Sequence, residues 1–183
     1  MKTNTFEIRS GGDLRAISIN KLAGYAAVYN SLSQDLGGFV EQIRAGAFTK
    51  SLTSGDPIRA LYEHEDNKLL GSTRSGTLKL SENHKGLYFE LDLPNTSYAH
   101  DLGVLVERGD INGCSFGFTV PAGGDAWEVR SGVLTRDLLN IRLSEITVTA
   151  NPAYLDTEVA KRSMESFHFS EHLNMQSLWM QTL

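Results

Sequence analysis

Between residues 76 and 93 the chain reads GTLKL, then SENHKG, then LYFELDL. Apolar and polar side chains alternate through both flanks. Period two is the spacing of a strand with one buried face, not of a helix. The polar, Gly-containing hexapeptide between the flanks makes the pair a hairpin. Short segments set between turn signals recur along the chain, which holds 17 Gly and only 4 Pro. A mainly β domain follows.

Residues 5–9 (TFEIR) and 17–29 (ISINKLAGYAAVY) read as extended, with a bend or bulge at Gly24. Residues 58–64, 112–120, 126–130, 133–139 and 141–150 complete the strand candidates. Ser131-Gly132 turns one strand into the next, and Asn151-Pro152 ends the last. Two helices are predicted. One spans 45–54 and is stopped by Gly55 and Pro57. The other spans 96–108, with Asn95 or Thr96 as cap, an apolar stripe of Tyr98, Leu102, Leu105 and Val106, and Gly109 at its end. From about 155 the spacing turns helical and carries Met164, Met175, Trp179 and Met180.

The length of 183 residues fits one domain with a short appendage. A net charge of −5 argues against nucleic acid and anionic membrane surfaces as partners. MKTNTFEIRS has no apolar core, so no signal peptide is expected, and no apolar run has the ~20 residues of a membrane span. Cys114, the single cysteine, excludes an intrachain disulfide and a multi-cysteine zinc site. No metal or cofactor is expected.

Residues 111–118, INGCSFGF, hold the first candidate chemistry. In a strand Gly113, Ser115 and Gly117 share one face, while Cys114, Phe116 and Phe118 share the other. The second is a core face. The first sets one hydroxyl between residues without side chains, where another chain can approach and backbone N–H groups can face an anion. A close strand–strand contact explains the same alternation, and the octapeptide alone favours that plainer reading. A nucleophilic serine needs a base. Of the five histidines, His64 stands apart, ending an apolar strand between Glu63 and Glu65. A histidine base needs an acceptor on its second nitrogen. Glu145, in LSEITVTANPAY, is a carboxylate in a β-branched strand, on the face of Leu143 and Thr147. Pairing with His64 would explain it; pairing with Arg142 or Arg136 is the ordinary alternative. Glu63, Glu65 and Asp66 are weaker candidates for orienting His64.

Six ordered blocks between about 20 and 162 carry a resemblance: LAGYAAVYN, EQIRAGAF, IRALYEHE, LLGSTRSGTLKLSENHKGLYFELDLP, VERGDINGCSFGF and LSEITVTANPAY. Together they resemble the prohead proteases of tailed bacteriophages, capsid-maturation serine peptidases with a herpesvirus-protease-like fold. The resemblance implies a β-barrel with flanking α-helices over 1–162, and the helical tail, 163–183, lies beyond it. It implies Ser115 as nucleophile, His64 as general base and Glu145 as third member. The herpesvirus relatives use a second histidine there, and this chain has none between 100 and 168. Oxyanion donors are sought in the backbone at Gly113, Phe116 and Gly117, or in Arg74 or Arg142. The implied substrate is a major capsid protein precursor or scaffolding protein, cleaved in the host cytoplasm inside the assembling prohead. A homodimer is expected, through helix stripes or Met175, Leu178 and Trp179 of the tail. Two other readings stand beside this one: a non-catalytic capsid-associated barrel, and a hydrolase using Cys114.

Overall fold

The computed structural model describes residues 5–18, 20–150 and 164. Among the described residues eleven strands and two helices follow in chain order: β1 (Phe6–Ser18), β2 (Lys21–Val28), β3 (Val40–Ile43), α1 (Thr49–Thr53), β4 (Arg59–Tyr62), β5 (Glu65–Ser72), β6 (Leu78–Glu82), β7 (Gly86–Asp92), α2 (Ser97–Arg108), β8 (Gly113–Thr119), β9 (Asp125–Arg130), β10 (Val133–Leu138) and β11 (Arg142–Thr149). Eight strands form one sheet in the order β5-β4-β11-β8-β1-β2-β7-β6, and β3-β10-β9 form a second. The large sheet curls until β5 nears β6 and β7, making a nearly closed barrel with two helices. The expected mainly β barrel is therefore present.

The hairpin over 76–93 is β6–β7, with Leu80 opposite Phe89 and Leu78 opposite Leu91. Its apolar face joins a core of Leu22, Ala27, Leu87, Phe89, Phe116, Phe118, Ile146 and Val148. Helix α2 adds Ala99, Leu102 and Val106 to that core and ends at Gly109 in the left-handed region. Thr96 takes the N-cap position, but its hydroxyl makes no capping bond; it is buried without a hydrogen-bond partner among the described residues.

Three features that the sequence reading did not supply bear on function. First, β1 runs through Phe6–Ser18, far beyond residue 9, because its two halves pair with β8 and β2 in turn. At the crossing an added Cβ on Gly12 would lie 1.6 Å from the carbonyl oxygen of Tyr25, so only glycine fits. Second, strands β3 and β5 escape periodicity: β3 has only four residues, and β5 begins with the polar run Glu65–Lys68. Third, Phe6 is 43% exposed while Glu7 and Arg9 are buried. The two charges belong to a cluster that docks the small sheet on the large one. Arg9 Nη2 donates to Glu7 (2.6 Å) and Arg9 Nε to Glu41 (2.9 Å). Arg136 Nη1 donates to both carboxylates at 2.9 Å, and its Nε to Asp125 at 3.0 Å. Burial opposes the charge on Arg136, yet Glu41, Glu7 and Asp125 together hold it protonated.

The expected tail, 163–183, lies outside the described residues except for Met164. That side chain packs on the second, smaller cluster formed by Leu36, Phe39, Trp127 and Leu134.

Candidate active site

Strand β8 lies between β11 and β1, so Ser115 has a partner on each side: Thr147 on β11 and Ser10 on β1. Directly paired residues project to the same face. The three hydroxyls therefore form one row across three strands. One row along, Gly117 pairs with Glu145 and Ile8. The register shift between Leu143 and Glu145 corrects an expectation. Leu143 pairs with Phe118 and is buried in the core, whereas Glu145 and Thr147 face the opposite side with Ser115. The bulge is what lets one strand feed both a greasy face and a polar one.

His64 is placed by a turn rather than by a strand. Tyr62 pairs with Glu65, and the two residues between them, Glu63 and His64, have φ of 54° and 58°. Positive φ at both central residues is the geometry of a type I′ hairpin turn, usually built from Asn and Gly. Two side-chain-bearing residues in that region cost roughly 1–3 kcal/mol each. The surroundings hold them there. The amide of Glu63 donates to the Val148 carbonyl (3.0 Å), and its carboxylate accepts from Thr149 Oγ1 (2.8 Å) and from the Ala150 amide (2.7 Å). Strand β11 thus clamps the turn and swings the imidazole back over the polar face.

There His64 Nδ1 lies 2.7 Å from Glu145 Oε1 and 3.2 Å from Thr147 Oγ1. The short contact to a carboxylate favours the tautomer with a proton on Nδ1, leaving Nε2 as the basic nitrogen. Glu145 is 5% exposed, and its second oxygen is 3.5 Å from Arg59 Nη2. Arg59 is its neighbour on β4 and also binds Asp66 at 2.7 Å. Glu145 therefore finds both an imidazole and a guanidinium, the compensation a buried carboxylate needs. Sequence reading weighed Arg142 and Arg136 as its cation. Arg136 sits in the buried cluster, and Arg59 takes the position because parallel pairing of β4 on β11 puts residue 59 opposite residue 145.

Ser115 is 2% exposed, and its hydroxyl lies 2.9 Å from Ser10 Oγ. The notch beside it at Gly117 is filled from within the chain: an added Cβ there would meet Phe6 Cζ at 2.3 Å and Glu145 Cγ at 2.9 Å. Glycine is required because Phe6 and Glu145 occupy that space. Because β8 is paired along both edges, the amides of Gly113, Phe116 and Gly117 lie within its ladders. Arg142 opens β11 opposite Thr119, four residues along β8 from Ser115, or about 13 Å at ~3.3 Å per residue. Arg74 stands exposed on the turn after β5, beside Asp56 and Pro57. Cys114 points the other way, fully buried in the core, where burial pushes its thiol up to about 12. Among the described residues no three His, Cys, Asp or Glu side chains could together hold a metal ion, and no helix is long and apolar enough to cross a membrane.

Sequence reading had no signal for Ser10, Thr147 or Arg59 as members of this site. Each becomes a neighbour only through strand pairing.

A hydroxyl on β8, an imidazole on the β4–β5 turn and a buried carboxylate on β11 make up the side-chain set used by serine hydrolases. The chain belongs to the caudovirus prohead serine protease family, whose model matches residues 5–170. It is thereby a member of a serine peptidase family tied to capsid maturation. No curated protein and no solved structure matches it.

Proposed function

We propose that this chain is an endopeptidase that cleaves the capsid precursor, or its scaffolding partner, by acyl transfer through Ser115, His64 and Glu145. The observation that carries the mechanism is the 2.7 Å contact of His64 Nδ1 with Glu145, made beside the strand pair that holds Ser115. Nε2 of His64 takes the proton of Ser115 as its oxygen attacks the scissile carbonyl. The same nitrogen returns that proton to the leaving amine, and water then hydrolyses the acyl-enzyme. Glu145 holds the ring in the required tautomer and offsets the imidazolium charge. Arg59 keeps that carboxylate in place. The core-facing position and raised proton affinity of Cys114 weigh against a thiol nucleophile.

The site of action in this reading is the assembling prohead in the host cytoplasm. Activity is gated by concentration, through confinement there or through formation of a homodimer. Specific activity that does not change with enzyme concentration would remove the dimer from the proposal.

The test is co-expression of the phage's own capsid precursor with the wild type or with Ser115→Ala. The variant folds and leaves the precursor intact; cleavage at the wild-type rate would end the assignment of Ser115. A fluorophosphonate probe labels the wild type but not Ser115→Ala.

A further inference from the structure

The nucleophile has a neighbour that the three assigned residues do not account for. Ser10 lies 2.9 Å from Ser115, hydroxyl to hydroxyl, and this is the hydrogen bond that the Ser115 side chain makes among the described residues. The contact is built in rather than incidental. Strand β1 carries a register shift between Ser10 and Gly12 against β8: Ser10 pairs with Ser115, but Gly12 pairs with Cys114. Ser115 and Cys114 project to opposite faces, so the extra residue changes the parity of β1 at this point. Glu7 and Arg9, before the shift, alternate away from Ser10 into the buried charge cluster. The bulge thus allows one strand to anchor the small sheet, place a hydroxyl beside Ser115, and continue towards Leu14 in the core. Ser115 is therefore flanked on its two sides by different groups: Ser10 on β1, and on β11 Thr147, which contacts His64.

We propose that Ser10 is a positioning residue that donates its hydroxyl hydrogen to the Ser115 oxygen and so fixes the rotamer from which Ser115 attacks. The assignment rests on the reading of Ser115 as nucleophile. A serine hydroxyl has one proton and two acceptor sites. With Ser10 as donor, the single proton of Ser115 is left free for His64, whose Nδ1 contacts Thr147 on the β11 side. In the reaction that proton passes to Nε2 while the Ser115 oxygen bonds to the electrophile and the leaving group departs. Ser10 keeps its own proton throughout. Its hydrogen bond shortens and strengthens as negative charge grows on the Ser115 oxygen. Without Ser10 the Ser115 side chain spreads over its staggered wells and loses one hydrogen bond, together a loss of about threefold to thirtyfold in rate.

The experiment measures the rate of fluorophosphonate labelling against probe concentration, separating the maximal labelling rate from the half-saturating concentration. Wild type, Ser10→Ala, Ser10→Thr and Ser115→Ala are compared, with thermal unfolding of each. Ser10→Ala is expected to unfold near the wild-type temperature and to label about threefold to thirtyfold more slowly at saturation, with the half-saturating concentration unchanged. Ser10→Thr restores the hydroxyl and most of the rate. Wild-type labelling by Ser10→Ala overturns the proposal, as does slow labelling by Ser10→Ala that Ser10→Thr fails to recover. Should the alanine variant not fold, Ser10→Cys replaces it: Thr faster than Cys supports the donor role, and equal rates refute it. Persistent labelling of Ser115→Ala would instead overturn the nucleophile assignment, so the two failures are told apart.

Discussion

Substituting Gly117 by alanine separates the stability of this face from its chemistry. The added methyl would stand 2.3 Å from Phe6 Cζ and 2.9 Å from Glu145 Cγ. Carbon atoms settle at ~3.5 Å or more, so the ring must retreat by about 1.2 Å and the Glu145 stem by about 0.6 Å. The two neighbours yield differently. Phe6 is 43% exposed and can swing outward; Glu145 is 5% exposed and held at both carboxylate oxygens. A shift of about 0.6 Å would stretch the 2.7 Å bond to His64 past the ~3.2 Å at which such bonds weaken. Overpacking of this size costs about 1–3 kcal/mol, equivalent to a melting-temperature drop of about 2–12 °C in a chain of this length. Misplacing a catalytic group by ~1 Å costs about a hundredfold, so the smaller shift predicts roughly a tenfold loss in fluorophosphonate labelling. Phe6→Ala in the same chain removes the larger clash but leaves the smaller one. The double variant should therefore regain most of the stability lost to Gly117→Ala while labelling no faster. Wild-type labelling by a folded Gly117→Ala would show that the His64–Glu145 contact does not set the rate. Recovery of labelling in the double variant would place the damage at Phe6 instead.

Removing Arg136 from the buried charge cluster, as Arg136→Met, leaves Glu7 and Glu41 short of a cation and should cost about 3–5 kcal/mol in urea unfolding; a loss under ~1 kcal/mol would mean the cluster is not holding the sheets together. Glu63→Ala removes an acceptor of both the buried Thr149 hydroxyl and the exposed Ala150 amide, so stability should fall by about 1–3 kcal/mol while labelling slows about tenfold as the His64 turn loosens; an unchanged rate would refute the clamp. Cys114, with its thiol pushed up to about 12, should resist iodoacetamide at pH 8 in the folded protein and react once denatured, a contrast read by mass spectrometry. Asp137 is held below the usual aspartate range, first by its hydrogen bonds from Arg130. Its stabilising contribution is complete above the unfolded value of ~3.9 and is lost as pH falls through the folded value beneath it. Asp137→Asn should thus be less stable than wild type at neutral pH, and the gap should narrow below about pH 4 in acid unfolding curves.

Local pattern determined much of this protein. Alternation over 76–93 became β6–β7, the Tyr98–Val106 stripe became α2, and the two faces of GCSFGF came out as a core face and a polar face, because period and side-chain chemistry are properties of neighbours in the chain. The histidine, serine and glutamate were each legible as oddities in their own segments. Pairing across strands decided the rest. Alternation alone would send Phe6 and Ile8 inward, yet Glu7 and Arg9 are the buried pair, because their charge partners Glu41 and Arg136 arrive from β3 and β10. Leu143 and Glu145, two apart, face opposite ways because a bulge intervenes. Arg59, Ser10 and Thr147 join the site through register alone, and His64 turns into it on a strained turn clamped by β11. A sequence displays what each residue can do. Which residues meet depends on register, and one extra residue in a strand reverses every face beyond it.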